Sequence, residues 1–300
     1  MKKNSYYILS ERWKTGFLET AKETRIRWGI YCPNQKVDPS KFVVLLTGRA
    51  EFIEKYNYLA EDLDLPDDTG LLIWDHRGQG KSSGKPSHIS SYDQYCMDCQ
   101  QLLQTLVKDK PYVMIAHSMG TLIAIYGLIF EYFNPEKLFL SSPFFGFSQQ
   151  KLYLSMIKTL SLFMTKIGFG TLYWKKKYVF KTFDENPLTS CPKQYERITQ
   201  SLFVPMVPTY SWIYASFQAL SAVNQKTSFQ GLKTPLATLI TKQDKIVNRE
   251  DSLNWITKAH QYSSITKITT SFLEGRHEPF SEKKEIYEQA LQRIKEWLHE

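Results

Sequence analysis

The sequence has no long apolar run. Its best candidate, from Leu152 to Ile167, is broken by Lys158 and Lys166, so nothing approaches the roughly 18 uncharged residues of a membrane-spanning helix. The opening "MKKNSYYILSERWKTGF" has two lysines but neither an apolar segment nor a small-residue cleavage site, so a secretory signal is not expected and the expected location is cytoplasmic. Four cysteines in 300 residues are too few for a disulfide framework. The pair Cys96 and Cys99 forms a lone CxxC, which offers zinc too few ligands. Both fall on the helical spacing of Tyr92, Tyr95, Leu102, Leu103 and Leu106, which predicts buried, inert thiols. Linkers rich in Pro, Gly and Ser, low-complexity tracts and internal repeats are also missing, and no flexible boundary divides the chain.

Acidic residues are the scarcer charge, 30 against 38 Lys and Arg, which leaves a net charge of +8. No basic helix, zinc finger or RNP-like motif accompanies that excess, so nucleic acid is not the expected partner. Much of the excess lies between Lys151 and Lys181, which suggests peripheral contact with an anionic membrane at its inner face. The oligomeric state has no signature in the sequence.

What is present is an α/β pattern. Short apolar runs at Phe42 to Thr47, Leu71 to Trp74, Tyr112 to Ala116, Lys137 to Ser141, Leu236 to Thr241 and Ile265 to Phe272 read as strands. Helical patterns at Glu51 to Leu63, Tyr92 to Val107, Met119 to Phe133 and Glu285 to Leu298 alternate with them. Such alternation implies a mostly parallel central sheet flanked by helices, with its chemistry at the carboxyl ends of the strands. Thr24 to Cys32 belongs to antiparallel edge strands before the parallel core. The alternation fails between Phe144 and Gln225, in an aromatic, Lys-rich stretch. The expected organisation is therefore a core in two parts, 1–143 and 226–300, around an inserted and mainly helical cap at 144–225. Leu152, Met156, Leu160, Phe163, Met164 and Ile167 mark one side of a cap helix.

In "YVMIAHSMGTLIAIYGLIF" a polar tetrad interrupts the apolar run, and Ser118 falls at a strand-to-helix corner. A tight corner needs small residues two positions before and after the serine, and Ala116 and Gly120 supply them. The helix start also aims the Met119 backbone N–H at a developing oxyanion. Serine is equally common as a helix N-cap, so the corner alone leaves both readings open. A nucleophile needs a later acid and then a later histidine, each on a loop after its own strand. Of the six histidines, His277 alone follows the last strand and precedes the last helix. Asp244 follows "LATLIT" by three residues, with Asp251, in the next helix, as the reserve. The loop Gly48-Arg49-Ala50 after the strand from Phe42 supplies a second oxyanion donor, the Arg49 N–H. Its side chain reads as solvated surface, with a phosphate contact as the alternative.

At this point the chain resembles a family. "LTGRAEFIEKY", "WDHRGQGKSSG", "AHSMG", "TKQDKIV" and "GRHEPF" are similar to the lysophospholipase and monoacylglycerol lipase branch of the α/β-hydrolases, of the serine aminopeptidase S33 type. In the cap, "NPLTSCPKQYER" and "VPTYSWIYASF" are similar to the bacterial lysophospholipase L2 group. The resemblance implies an α/β-hydrolase fold and a triad at Ser118, Asp244 and His277. It also implies an oxyanion hole at the Arg49 and Met119 amides, a structural role for His76, and ester hydrolysis of a single-chain lipid without metal or cofactor. Departures from the family are Thr47, where many members carry His, Ala116, and Thr121, where a third small residue is common. Other acyl hydrolysis on the same scaffold, such as aminopeptidase activity, and a non-catalytic binding protein are the alternatives.

Overall fold

A computed structural model describes residues 7–20, 24–176, 178–201, 203 and 207–300. Eight strands form one sheet in the order β1-β2-β4-β3-β5-β6-β7-β8. They are β1 (Trp13–Thr20), β2 (Thr24–Tyr31), β3 (Lys41–Leu46), β4 (Thr69–Trp74), β5 (Tyr112–His117), β6 (Leu138–Ser141), β7 (Leu236–Thr241) and β8 (Ile268–Leu273). β1 and β2 run antiparallel, as does β2 against β4, and every pairing from β4 to β8 is parallel. This is the arrangement expected from the sequence, with the first two strands at one edge.

The inner parallel strands β3, β4, β6 and β7 are buried on both faces, which is why they read as unbroken apolar runs, whereas β8 at the sheet edge is partly exposed. Val44, Leu46, Met114 and Ala116 face the layer of α2 (Asp93–Leu102), α3 (Met119–Ile129) and α8 (Arg249–Tyr262). Val43, Leu45, Ile73 and Ile115 face α1 (Asn57–Asp62) and α9 (Lys284–His299). Cys96 and Cys99 are fully buried in the first layer, and burial pushes both thiols well above their ordinary pKa. The predicted core placement holds.

The helix expected from Glu51 begins later than its apolar pattern. A short 3-10 turn at Ile53–Tyr56 precedes α1, while Glu51 stays in the loop and turns its carboxylate back onto the Gly48 N–H. The Ile53 N–H is taken by Asp75 Oδ1 at 2.9 Å, a side chain competing for a donor that a longer helix would use.

Between β6 and β7 the regular structure is helical: α4 (Lys151–Lys166), α5 (Pro192–Thr199), α6 (Tyr210–Val223) and the short α7 (Lys226–Gln230). α6 packs on both α4 and α3, so it joins this region to the core. The helix expected from the apolar spacing is present as α4. The α4 stripe of Leu152, Met156, Phe163 and Ile167 faces outward, with Leu152 85 % and Phe163 57 % exposed, while Ile157 and Ser161 turn inward. The helix is apolar on more than one side, and spacing alone does not say which side finds a partner. Among the described residues no helix is long and apolar enough to cross a membrane.

Candidate active site

Ser118 ends β5 and starts α3, in a backbone conformation that L-residues rarely adopt, with φ 52° and ψ −119°. Holding it costs on the order of 1–3 kcal/mol, which the surrounding structure must supply. The corner is clamped by Ser118 N–H donating to the Ser141 carbonyl at 3.0 Å. A Cβ on Gly120 would collide with the Leu46 carbonyl, and Ala116 is fully buried, so both positions require small residues. The threonine departure at Thr121 is accommodated by hydrogen bonding. Its hydroxyl donates to the Ser118 carbonyl at 2.6 Å and accepts the Phe144 N–H at 2.8 Å, which ties the chain leaving β6 to the corner.

His277 Nε2 lies 2.8 Å from Ser118 Oγ, and His277 Nδ1 lies 2.7 Å from Asp244 Oδ2. The other Asp244 oxygen accepts the backbone N–H groups of Ile246 at 2.8 Å and Val247 at 3.1 Å. Burial raises the Asp244 pKa, but His277 and these amides outweigh it and hold the carboxyl below its ordinary value. Burial likewise lowers the His277 pKa, and the Asp244 charge and hydrogen bond, with Glu278 and Glu51, leave it above the ordinary imidazole value. The three residues drawn from separate strand ends thus meet in one chain of hydrogen bonds. Asp251 is elsewhere, in the first turn of α8 against Gly146. His76 is buried against the Trp74 and Tyr95 rings, and burial pushes its pKa down to about 4, so it is neutral and structural.

Gly48 brings the loop after β3 against Ser118: a Cβ there would lie 3.2 Å from Ser118 Cβ. Met119 is the first residue of α3, and Arg49, next to Gly48, lines the same cavity as Ser118. A charged network that the sequence reading missed supports this loop. The buried Glu51 carboxylate accepts Gly48 N–H, the Tyr56 hydroxyl at 2.6 Å and the Lys55 ammonium. Lys55 also binds Glu278 Oε2 at 2.6 Å, and Glu278 approaches His117 Nε2 at 3.5 Å. The available signal was charge, since Glu51, Lys55 and Glu278 are ionic residues beside motif residues, with Glu51 and Lys55 one helical turn apart. His117, His277 and Glu278 offer donor atoms within 4.8 Å of one another. Both His277 nitrogens are hydrogen-bonded, to Asp244 and Ser118, and Glu278 to Lys55, so a cation would have to break both sets of bonds.

Above Ser118 opens a cavity of about 1090 Å³, lined by Ser118, His277 and aromatic side chains such as Phe144, Phe147, Trp212 and Phe217. The segment 183–190 closes one side of it and is pinned to the His277 loop. Arg276 Nη1 donates to the carbonyls of Asn186 at 2.9 Å and Thr189 at 3.0 Å, and Glu278 N–H to Leu188 O at 2.9 Å.

Residues 37–284 match the family described as serine aminopeptidase, S33. The chain belongs to that family. Within the S33 family it is similar to a probable lysophospholipase L2 of Haemophilus influenzae, at 27 % identity over 86 % of this chain and 84 % of that one. It is also 32 % identical to a monoacylglycerol lipase of Mycolicibacterium smegmatis, over 36 % of this chain and 37 % of the other. The S33 fold here superposes on a soluble variant of monoglyceride lipase from Saccharomyces cerevisiae with a TM-score of 0.79, at 16 % identity and 97 % coverage of both chains. A carboxyl esterase from Bacillus coagulans superposes with a TM-score of 0.77, at 16 % identity, covering 97 % and 99 %. The structural likeness establishes the α/β-hydrolase fold.

Proposed function

We propose that this S33-family chain is a serine hydrolase that cleaves the carboxylic ester of a single-chain lipid, a lysophospholipid or monoacylglycerol, through an acyl-enzyme on Ser118. The observation that carries this reading is the Asp244-His277-Ser118 hydrogen-bond chain at the floor of an apolar cavity. His277 Nε2 takes the Ser118 proton as Oγ attacks the ester carbonyl, and the new oxyanion is held by the Met119 and Arg49 N–H groups. The imidazolium, stabilised by Asp244, then gives its proton to the leaving glycerol oxygen. A water activated by the same ring releases the fatty acid and regenerates Ser118.

The names of the relatives, a lysophospholipase and monoacylglycerol lipases, support the lipid ester. The cavity supports it physically, because each buried methylene of an acyl chain contributes about 0.8 kcal/mol and the aromatic walls provide that environment. An aminopeptidase would need a carboxylate to receive the substrate ammonium; beside Ser118 the Glu51 and Glu278 carboxylates are already bound to Lys55, and the cavity's Asp184 and Glu185 are exposed to solvent. Outward-facing Leu152, Met156, Phe163 and Ile167 on α4, near exposed Lys151, Lys166, Lys175 and Lys176, support peripheral contact with an anionic lipid surface. Lys177, assigned to the same basic patch from sequence, lies outside the described residues.

A fluorophosphonate probe tests the nucleophile: wild type is labelled and Ser118→Ala is not. A panel of p-nitrophenyl esters, a lysophosphatidylcholine and monoolein tests the substrate. Faster turnover of acetyl esters than of the long-chain lipids would replace the lipid reading by a general esterase.

A further inference from the structure

Two carboxylates share one ammonium beside His277. Lys55 Nζ lies 2.6 Å from Glu278 Oε2 and is also bound to Glu51. Glu51 accepts the Gly48 N–H and the Tyr56 hydroxyl as well, the pattern of an ionised carboxylate. Burial raises the Glu278 pKa, but Lys55, His117 and His277 outweigh it and hold the carboxyl well below its ordinary value. Burial lowers the Lys55 pKa, and the two carboxylates outweigh it and leave the ammonium above its ordinary value. A single ion pair would be neutral. This cluster has one anion more than it has cations, so a unit of negative charge is left among groups largely shielded from water.

That surplus faces a histidine. A Glu278 carboxylate oxygen, a His277 ring nitrogen and a His117 ring nitrogen all lie within 4.8 Å of one another. Both His277 nitrogens are already bonded, to Asp244 and Ser118, so Glu278 acts on the ring through charge alone. Burial lowers the His277 pKa, while Asp244 and, after it, Glu278 and Glu51 raise it. The phenols nearby add no charge, because burial pushes the pKa values of Tyr56, Tyr58 and Tyr178 up. A neutral His117 meets both its neighbours, with Nε2 3.5 Å from Glu278 Oε2 and Nδ1 3.4 Å from Ser141 Oγ. Arg49, which the sequence places on solvated surface, is only partly exposed and sits over the Trp212 ring, 5.7 Å from its centroid.

We propose that Glu278 is a positioning residue whose surplus charge stabilises the His277 imidazolium while that ring holds the Ser118 proton, as a second counter-ion beside Asp244. This rests on the acyl-hydrolase reading above. The two carboxylates divide the task. Asp244 takes the Nδ1 hydrogen bond and fixes the tautomer, and Glu278 adds attraction for the proton without touching the ring.

The test reads the acid limb of kcat/KM for p-nitrophenyl butyrate in wild type, Glu278→Gln and Glu278→Asp, with a thermal melt of each. Glu278→Gln keeps the backbone bond to Leu188 and an acceptor for Lys55 but removes the charge. The midpoint of the limb then moves down by about one pH unit, the low end for a charge at this distance, and the plateau kcat falls about tenfold with KM nearly unchanged. Glu278→Asp keeps the charge and recovers most of the midpoint. If Glu278→Gln does not fold, Glu51→Gln takes one negative charge from the other end of the same cluster and moves the midpoint the same way by less. A midpoint unmoved in the neutral variants, or displaced as far in Glu278→Asp as in Glu278→Gln, makes the cluster a structural brace and overturns the proposal while leaving the acyl-hydrolase reading in place. Turnover of the ester by Ser118→Ala at the wild-type rate overturns both.

Discussion

The Glu51 carboxylate accepts the Gly48 backbone N–H, and so ties the loop after β3 to the half-buried Lys55 and the buried Tyr56 beside Ser118 and His277. Glu51→Gln would give that loop an amide in place of an anion and leave Lys55 with Glu278 alone. We expect kcat on a soluble ester to fall by up to about 10², the effect of a small misplacement of the oxyanion donors. Stability should fall by about 3 kcal/mol for a broken buried ion pair. Steady-state kinetics with a parallel thermal melt checks both; a variant that melts early but keeps full kcat would make Glu51 purely structural.

Asp244→Asn should lower kcat by about 10⁴, because the amide favours the wrong imidazole tautomer, whereas Asp251→Asn in α8 should change it little. Active-site titration alongside kcat separates lost turnover from lost protein. A reversed order of effects would refute the placement of the acid.

Only the neutral His277 ring can accept the Ser118 proton, and its pKa lies above the ordinary 6.5. The acid limb of kcat/KM should therefore have its midpoint above 6.5. Asp244→Asn removes the charge that raises it, so the limb should move to lower pH. Stability follows with opposite signs. The raised His277 contributes stability below the unfolded imidazole pKa, lost as pH rises through its folded value. The lowered Asp244 contributes stability above the unfolded carboxyl pKa, lost as pH falls through its folded value. A pH–rate profile with the limb unmoved in Asp244→Asn would contradict the assignment.

Cys96→Ser and Cys99→Ser should each cost about 1–3 kcal/mol of stability through a buried hydroxyl, with activity per folded molecule preserved. Reversible control of activity by dithiothreitol would contradict the inert placement.

Lys175→Gln with Lys176→Gln should weaken sedimentation with anionic vesicles at low salt and leave turnover of p-nitrophenyl butyrate nearly unchanged. Leu152→Ser with Phe163→Ser, on the outward face of α4, should do the same without the salt dependence. Absence of vesicle binding by wild type at low salt would end the peripheral-membrane proposal.

The strand ends and the order of Ser118, Asp244 and His277 were legible because parallel strands buried on both faces leave unbroken apolar runs, and the candidate residues stand where those runs stop. The Glu51, Lys55 and Glu278 network was not, since its partners lie over 200 residues apart in the chain and only the folded sheet brings them together. The α4 helix was legible from its apolar stripe, but the direction that stripe faces was not. Apolar spacing reports that a helix has a face, and only the neighbours, here α6 against Ile157, decide which one is covered. Arg49 was legible as an amide but not as a side chain, because Trp212, its aromatic support, comes from a helix far along the chain.

The bonds from Arg276 and Glu278 to the carbonyls of Asn186, Leu188 and Thr189 make the histidine loop and the segment 183–190 one mechanical piece. Grafts of this region between relatives therefore have a natural seam. A chimaera that exchanges the α4 and α6 helices but keeps residues 183–190 native leaves the base anchored, and should inherit the donor's chain-length preference with its turnover intact. One that exchanges the segment as well must bring a matching histidine loop, or His277 loses its support and turnover should fall.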